Sequence, residues 1–186
     1  FIARWPGVIP PNSTCNARLS FVDVLPTFIE LAGGAAPDNI DGRSFAPVLS
    51  NEVDHHRMFI FGTHTNDGIN NGVPYPIRSV SDGRYKYIVN LAHETSYQNN
   101  IVVGNERFGP LWNSWIEKAR NDAQAASLVE KYLHRPAEEL YDLRDDPYEL
   151  HDEALDPGLA AIKSGLRREL ARWMAEQNDP HAAKLG

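Results

Sequence analysis

Apolar and polar positions change period several times along this chain, and each change marks an element. Val24, Leu25, Phe28, Ile29 and Ala32 follow helical spacing, which predicts a helix from Asp23 as N-cap through Leu31-Ala32. Pro26 then falls in the first turn, where its missing N–H costs nothing, and Gly33-Gly34 ends the helix. Met58-Phe59-Ile60-Phe61 reads as a buried strand, and Phe1-Ile2-Ala3-Arg4-Trp5 as another, stopped by Pro6-Gly7. Residues 77–81 and 84–90 alternate around Asp82-Gly83, the pattern of a tight hairpin with positive φ at both central residues. Leu140 to Leu143 is a further short strand, so the chain is expected to form a small antiparallel sheet of about three or four strands. Asp145-Asp146-Pro147 turns the chain after it.

Three helices complete the pattern. Pro110 opens one with Leu111, Trp112, Trp115, Ile116 and Ala119 on one face. Asn121-Asp122 caps a second carrying Ala126, Val129, Tyr132 and Leu133, and it stops before Pro136. Asp156-Pro157 begins the last as N-cap and N1. Its stripe of Leu159, Ile162, Leu166, Leu170 and Trp173 can lie on the sheet. Residues 9–17 and 38–50 read as loops. A chain that opens inside an apolar strand is expected to be the later part of a longer one.

Composition narrows the classes. The 186 residues make about one domain. Hydrophobic residues are 42%, with four Trp and seven Tyr, enough for a core. The net charge of −7 argues against a nucleic-acid groove, which needs clustered Lys and Arg. No apolar run approaches the ~20 residues of a membrane span. Cys15 is the only cysteine, so no internal disulfide forms.

Most candidate chemistry has a plainer reading. Cys15, between Thr14 and Asn16, has no adjacent base to make a thiolate and reads as an inert loop cysteine. Asp145-Asp146 reads as a solvated turn, because adjacent carboxylates point apart. His55-His56 lacks convergent partners for zinc and reads as solvated loop. Trp112 and Trp115 read as core more than as sugar-stacking platforms. The 63–76 loop differs. It leaves a buried strand and carries Thr63, His64, Thr65, Asn66 and Asp67, with Arg78 just beyond. Polar loops on a rigid scaffold concentrate binding residues, and an arginine can hold an anion bidentately. A surface loop with a structural ion pair is the equal alternative.

Five segments in order bear a resemblance. Phe1-Ile2-Ala3-Arg4-Trp5-Pro6-Gly7 resembles the P-x-I-x-R-W-P-G segment of sulfatases. Residues 22–33 are similar to their V-D-L-x-P-T-x-x-x-L-A-G helix, and residues 41–49 to D-G-x-S-x-x-P-x-L. Residues 77–88 resemble their R-x-V-R-x-x-x-Y-K-Y-I hairpin, and residues 139–149 match E-L-Y-D-L-x-x-D-P-x-E. Phe61-Gly62-Thr63-His64-Thr65 with 75–80 and 89–91 looks most like the heparan N-sulfatase (N-sulfoglucosamine sulfohydrolase) branch.

The resemblance implies an α/β fold overall, α+β for this chain. Residues 1–50 would be the tail of a large N-terminal α/β domain. Residues 51–186 would be a C-terminal subdomain of antiparallel sheet and helices. It implies a parent enzyme that hydrolyses sulfate esters or N-sulfate groups of sulfated sugars, with formylglycine as nucleophile and calcium beside it. Cys15-Asn16-Ala17-Arg18-Leu19 departs from the formylglycine pattern C/S-x-P-S-R at Pro and Ser. No catalytic or metal-binding residue therefore carries over, and both groups are expected in a preceding N-terminal part. The chain alone is expected to be inactive and to contribute pocket loops. The substrate-binding candidates are His64, Asp67 and Arg78, with Thr63 and Thr65 behind them. Arg78 or a protonated His64 would suit the anion, and Asp67 sugar hydroxyls. The expected partners are a sulfated sugar, the N-terminal sulfatase domain and other copies of the chain, through apolar surface on 1–5 and 24–32. A periplasmic, secreted or lysosomal-type location follows from the family. A non-catalytic carbohydrate-binding or interaction module and a related phosphodiesterase or phosphonate hydrolase are the rival readings.

Overall fold

A computed structural model describes residues 1–65, 73–99, 101, 102, 107 and 109–186. The chain forms two compact units, Phe1–Ile60 and Phe61–Gly186.

In the first unit, a 3₁₀ turn at Phe21–Asp23 leads into α1, Val24–Leu31. Pro26 sits in the first turn and Gly33 follows the helix at φ +79°, as the sequence predicts. Two expectations fail here. Residues 1–5 form no strand, while Ile2 is left almost fully exposed, in keeping with the apolar surface expected there. Residues 46–49, expected as loop, wind into the single turn α2, Ala46–Leu49. Its Pro47 lies at the start, where no N–H is needed, and the buried Phe45 anchors it.

The centre of this unit is polar. Asp23 and Thr27 are fully buried. Thr27 Oγ1 donates to Asp23 O at 2.7 Å and accepts from Phe45 N at 2.9 Å. The Asp23 carboxylate does not cap α1. It accepts from Ser20 N, Arg43 N and both Nε and Nη2 of Arg57. His56 Nε2 lies 3.3 Å away. His56 is therefore buried rather than solvated, while its neighbour His55 is exposed beside Asp54. Burial alone would raise the Asp23 pKa, but the Arg57 hydrogen bonds and two backbone N–H groups outweigh it and hold it at about 2. Gly42 makes the arrangement close. A Cβ there would run into the Val22 carbonyl oxygen, so any side chain would push the 41–43 turn off the 3₁₀ turn that leads into α1.

The second unit is built on a four-stranded sheet in the order β1 (Ile60–His64), β2 (Ile77–Ser81), β3 (Tyr85–Asn90) and β4 (Glu138–Asp142). The β2/β3 and β3/β4 pairs are antiparallel. β1 starts two residues later than the apolar run suggested. In the hairpin only Gly83 has positive φ. Asp82 N donates to Tyr85 O, so the central pair is Gly83-Arg84 rather than Asp82-Gly83. The Asp82 carboxylate ties the turn by accepting from Arg84 N and Tyr85 N.

Strand alternation and register give the sheet two faces. Arg78, Val80, Tyr85, Tyr87, Val89 and Leu140 share one. Helix α5, Ala160–Glu176, follows a 3₁₀ turn capped by Asp156 and lies on this face. Leu166, Leu170 and Met174 of α5 are buried with Val80, Tyr87 and Leu140, and Trp173 stacks on Phe61 at 4.7 Å. The opposite face carries Ile88, Asn90, Glu139 and Tyr141. The hairpin of α3 (Gly109–Ala119) and α4 (Ala123–Leu133) stands on this side. Asp122 caps α4 by accepting from Ala125 N at 2.9 Å. The sheet and helices make the α+β architecture that the sequence implied. Asp146 departs from the solvated reading: its half-buried carboxylate accepts from His151 N and closes the turn after β4.

Candidate functional site

The polar loop leaves β1 at its last residue, so β1 and β2 fix the two ends of the candidate site. Thr63 and Thr65 are exposed and His64 is half-buried between them, as alternation along a strand requires. Asp67 lies outside the described residues. Arg78, one residue into β2, is 4% exposed.

Four of the five N–H groups of Arg78 are engaged within the fold. Its Nε and Nη2 donate to Asp179 at 2.5 and 3.3 Å, and its Nη1 donates to His64 O at 3.2 Å and Ile77 O at 2.9 Å. Burial pushes the Asp179 pKa up, but Arg78 outweighs it and the net shift is down. The guanidinium is thus a strut that joins the end of β1, the start of β2 and the turn after α5. Asp179, close in sequence to Gly186, is held by it.

The His64 ring faces a tyrosine cluster. Its Nε2 lies 3.2 Å from Tyr97 Oη. Tyr97 meets Tyr75 and Tyr132 edge-on, with centroids 5.2 and 5.5 Å apart. Arg135 lies over the Tyr97 and Tyr132 rings at 4.9 and 5.8 Å. Burial, and then the Arg135 charge, lower the His64 pKa below its ordinary value. That shift favours the neutral ring, which can both donate and accept hydrogen bonds, over the imidazolium. Tyr75 Oη is buried without a partner among the described residues, and burial raises its pKa.

Sequence reasoning missed this cluster because its members come from β1, the loop before β2, residue 97, α4 and residue 135. No local spacing links them. The one available signal was the high tyrosine count.

Other candidates separate. Trp112 is buried as expected, but Trp115 is 42% exposed and lines a cavity with Tyr132 and Tyr141. Cys15 is exposed, with its sulfur accepting from Ala17 N at 3.4 Å. Among the described residues no three His, Cys, Asp or Glu side chains converge on a metal position. No helix among them is long and apolar enough to cross a membrane.

Comparison with known proteins matches this arrangement. Residues 1–99 match the family model described as N-sulphoglucosamine sulphohydrolase, C-terminal. An ulvan-active sulfatase of Formosa agariphila is 38% identical over 96% of this chain and 33% of its own length. The human N-sulphoglucosamine sulphohydrolase is 25% identical over 95% of this chain and 38% of its own. The chain thus spans about a third of the length of these relatives. A structure solved in complex with its substrate D-glucosamine-2-N,6-O-disulfate superimposes with a TM-score of 0.63. It covers 95% of this chain and 28% of that one at 21% identity, and so shares the fold. By the family model, which covers more than half of it, this chain belongs to the N-sulphoglucosamine sulphohydrolase C-terminal family.

Proposed function

We propose that this domain serves a sulfatase acting on sulfated sugars, and that it lends the substrate pocket the loop rooted at His64. The observation that carries this reading is the root itself. Thr63, His64 and Thr65 leave a strand whose last carbonyl is clamped by a buried Arg78–Asp179 pair. A strand end held so firmly can present the side chains of Thr63, His64 and Thr65 at low entropic cost. In this reading Thr63, Thr65 and neutral His64 meet sugar hydroxyls or sulfate oxygens, Asp67 meets hydroxyls, and Arg78 positions them without touching substrate. The family match favours an N-sulfated or O-sulfated glycosaminoglycan-like sugar and an extracytoplasmic location.

The reacting groups are proposed to lie outside this chain. The Cys15 segment lacks the Pro and Ser of the formylglycine pattern, and the described residues hold no metal cluster. Calcium and formylglycine, supplied by the rest of the enzyme, would give Lewis-acid stabilisation of sulfate charge and a nucleophile. The 186-residue chain alone is expected to turn over no sulfated sugar.

The test is His64→Ala in the whole enzyme that carries this domain. Loss of one or two hydrogen bonds to substrate should lower kcat/KM about tenfold or more on the sulfated sugar. An unchanged kcat/KM in a folded enzyme removes His64 from the pocket. Turnover by the isolated chain at a normal enzymatic rate overturns the division of labour.

A further inference from the structure

A second site lies on the opposite side of the tyrosine cluster. Between the α3–α4 hairpin and the sheet is a cavity of about 550 Å³, within the usual range for small-ligand sites of about 300–1,000 Å³. Ile88, Leu128 and Val129 supply apolar wall, and Trp115, Tyr132 and Tyr141 supply aromatic rings. Two charged groups face this apolar lining, and neither pairs with an opposite charge among the described residues.

The first is Arg135. Its guanidinium rests on the Tyr97 and Tyr132 rings, and its Nε is buried without a hydrogen-bond partner among the described residues. No carboxylate among them stands within ion-pair distance of it. Ring faces offset part of the desolvation of a cation, but an unmatched buried N–H still carries a desolvation penalty. The second is Glu139, which is 3% exposed. Its oxygens accept only from neutral donors, Asn90 Nδ2 at 2.7 Å and Tyr141 Oη. A carboxylate has about four lone-pair sites, so Glu139 keeps acceptor capacity. Other cations near the cavity are committed. Lys131 Nζ donates to the carbonyls of Glu149 and Leu150, and Lys118 pairs with Asp122.

A ligand that satisfies both groups carries an anion, hydroxyl donors and a flat apolar face. We propose that this cavity binds an anionic sugar unit, with Arg135 holding its charged group, Glu139 its hydroxyls and Trp115 its apolar ring face. Choosing a sugar over another hydroxylated anion rests on the function proposed above. The site is separate from the His64 loop but shares its tyrosines. Arg135 rests on the Tyr97 ring, and the Tyr97 Oη lies 3.2 Å from His64 Nε2. Such a site would hold a neighbouring unit of a sulfated chain.

Calorimetric titration of the chain with a sulfated glucosamine–uronic acid disaccharide, and with its desulfated counterpart, tests this. The sulfated probe should bind, and Arg135→Gln should weaken it about tenfold or more, the scale of one charged hydrogen-bonded contact. Trp115→Ala should weaken it roughly threefold. Leu128→Trp, which fills the cavity mouth and leaves Arg135 in place, should abolish binding, and it decides the matter if Arg135→Gln fails to fold. Equal binding of both probes, no binding by the wild-type chain, or wild-type affinity in Leu128→Trp overturns the proposal. Binding lost in His64→Ala but kept in Arg135→Gln also overturns the cavity site, and leaves the His64 loop as the sugar site.

Discussion

The 1–60 unit and the 61–186 unit differ in what fills their centres. In the first, the fully buried groups include Asp23 and Thr27, while Phe21, Phe28 and Leu25 of the 3₁₀ turn and α1 face outward, Phe21 at 94% exposure. In the second, Val80, Tyr87, Leu140, Leu170 and Met174 make an apolar layer between sheet and helix. That unit buries charged and polar groups as well, Arg78, Asn90, Glu139 and Asp142 among them. The second unit can thus draw its stability from apolar burial, at roughly 25 cal/mol per Å². The first depends on one carboxylate and leaves an apolar face uncovered. Exposed patches of that kind mark surfaces that meet another protein surface.

Removing the hub breaks the comparison most severely. Asp23→Ala strips the partner from Arg57 and from the Ser20 and Arg43 amides, and breaking such a buried pair costs about 3–5 kcal/mol. The expected result is lost hydrogen-exchange protection in 20–45 with protection retained in 77–90. Protection falling equally in both stretches would show that the units share one cooperative core, and the contrast would then hold no energetic meaning.

Acid gives a graded version of the same break. Asp23 has a folded pKa of about 2, below its unfolded value of about 3.9. Its contribution is complete above the unfolded value and is lost as pH falls through about 4 toward 2. His56 adds to this in the same direction. Burial, with Arg43 and Arg57 opposing the pull of Asp23, lowers its pKa, so the folded form loses stability as pH drops below about 6.5. Thermal melts followed by hydrogen exchange should show the 1–60 unit weakening over that range. Asp23→Asn should flatten the steep part between about pH 4 and 2. A variant with undiminished slope there would place the acid sensitivity elsewhere.

The same contrast explains what was legible in the sequence. α1, α4 with its Asp122 cap, the hairpin and α5 follow from local spacing and turn chemistry, since their periodic apolar residues are buried against near neighbours. Residues 1–5 carry a strand pattern but pair with nothing, because a strand exists only through a partner. In α1 the periodic stripe is real, yet Leu25 and Phe28 lie outside while Asp23 and Thr27 lie inside, so spacing gave the helix and not the face that is buried. The candidate site was legible only as a loop. That Arg78 is spent on Asp179, 101 residues away, and that the neutral His64 ring is favoured beside Arg135, depend on long-range packing that no window of sequence contains.

The gentlest test concerns the uncovered face. Phe21→Ser with Phe28→Ser removes two exposed rings without touching the Asp23 hydrogen bonds, and substitutions at such surface positions shift stability by only about 0.5 kcal/mol. Stability to urea should therefore hold. What should change is association: the unsubstituted chain, with Phe21, Leu25 and Phe28 in water, is expected to self-associate as concentration rises, and the double variant to sediment closer to a monomer. If both remain monomeric, the outward rings are tolerated as isolated surface residues and the apolar face needs no cover. If both associate alike, the sticky surface lies elsewhere, with the exposed Leu155 and Tyr148 of the second unit the next to replace. Only association that falls with the two phenylalanines ties the inverted burial of the first unit to a surface built for contact.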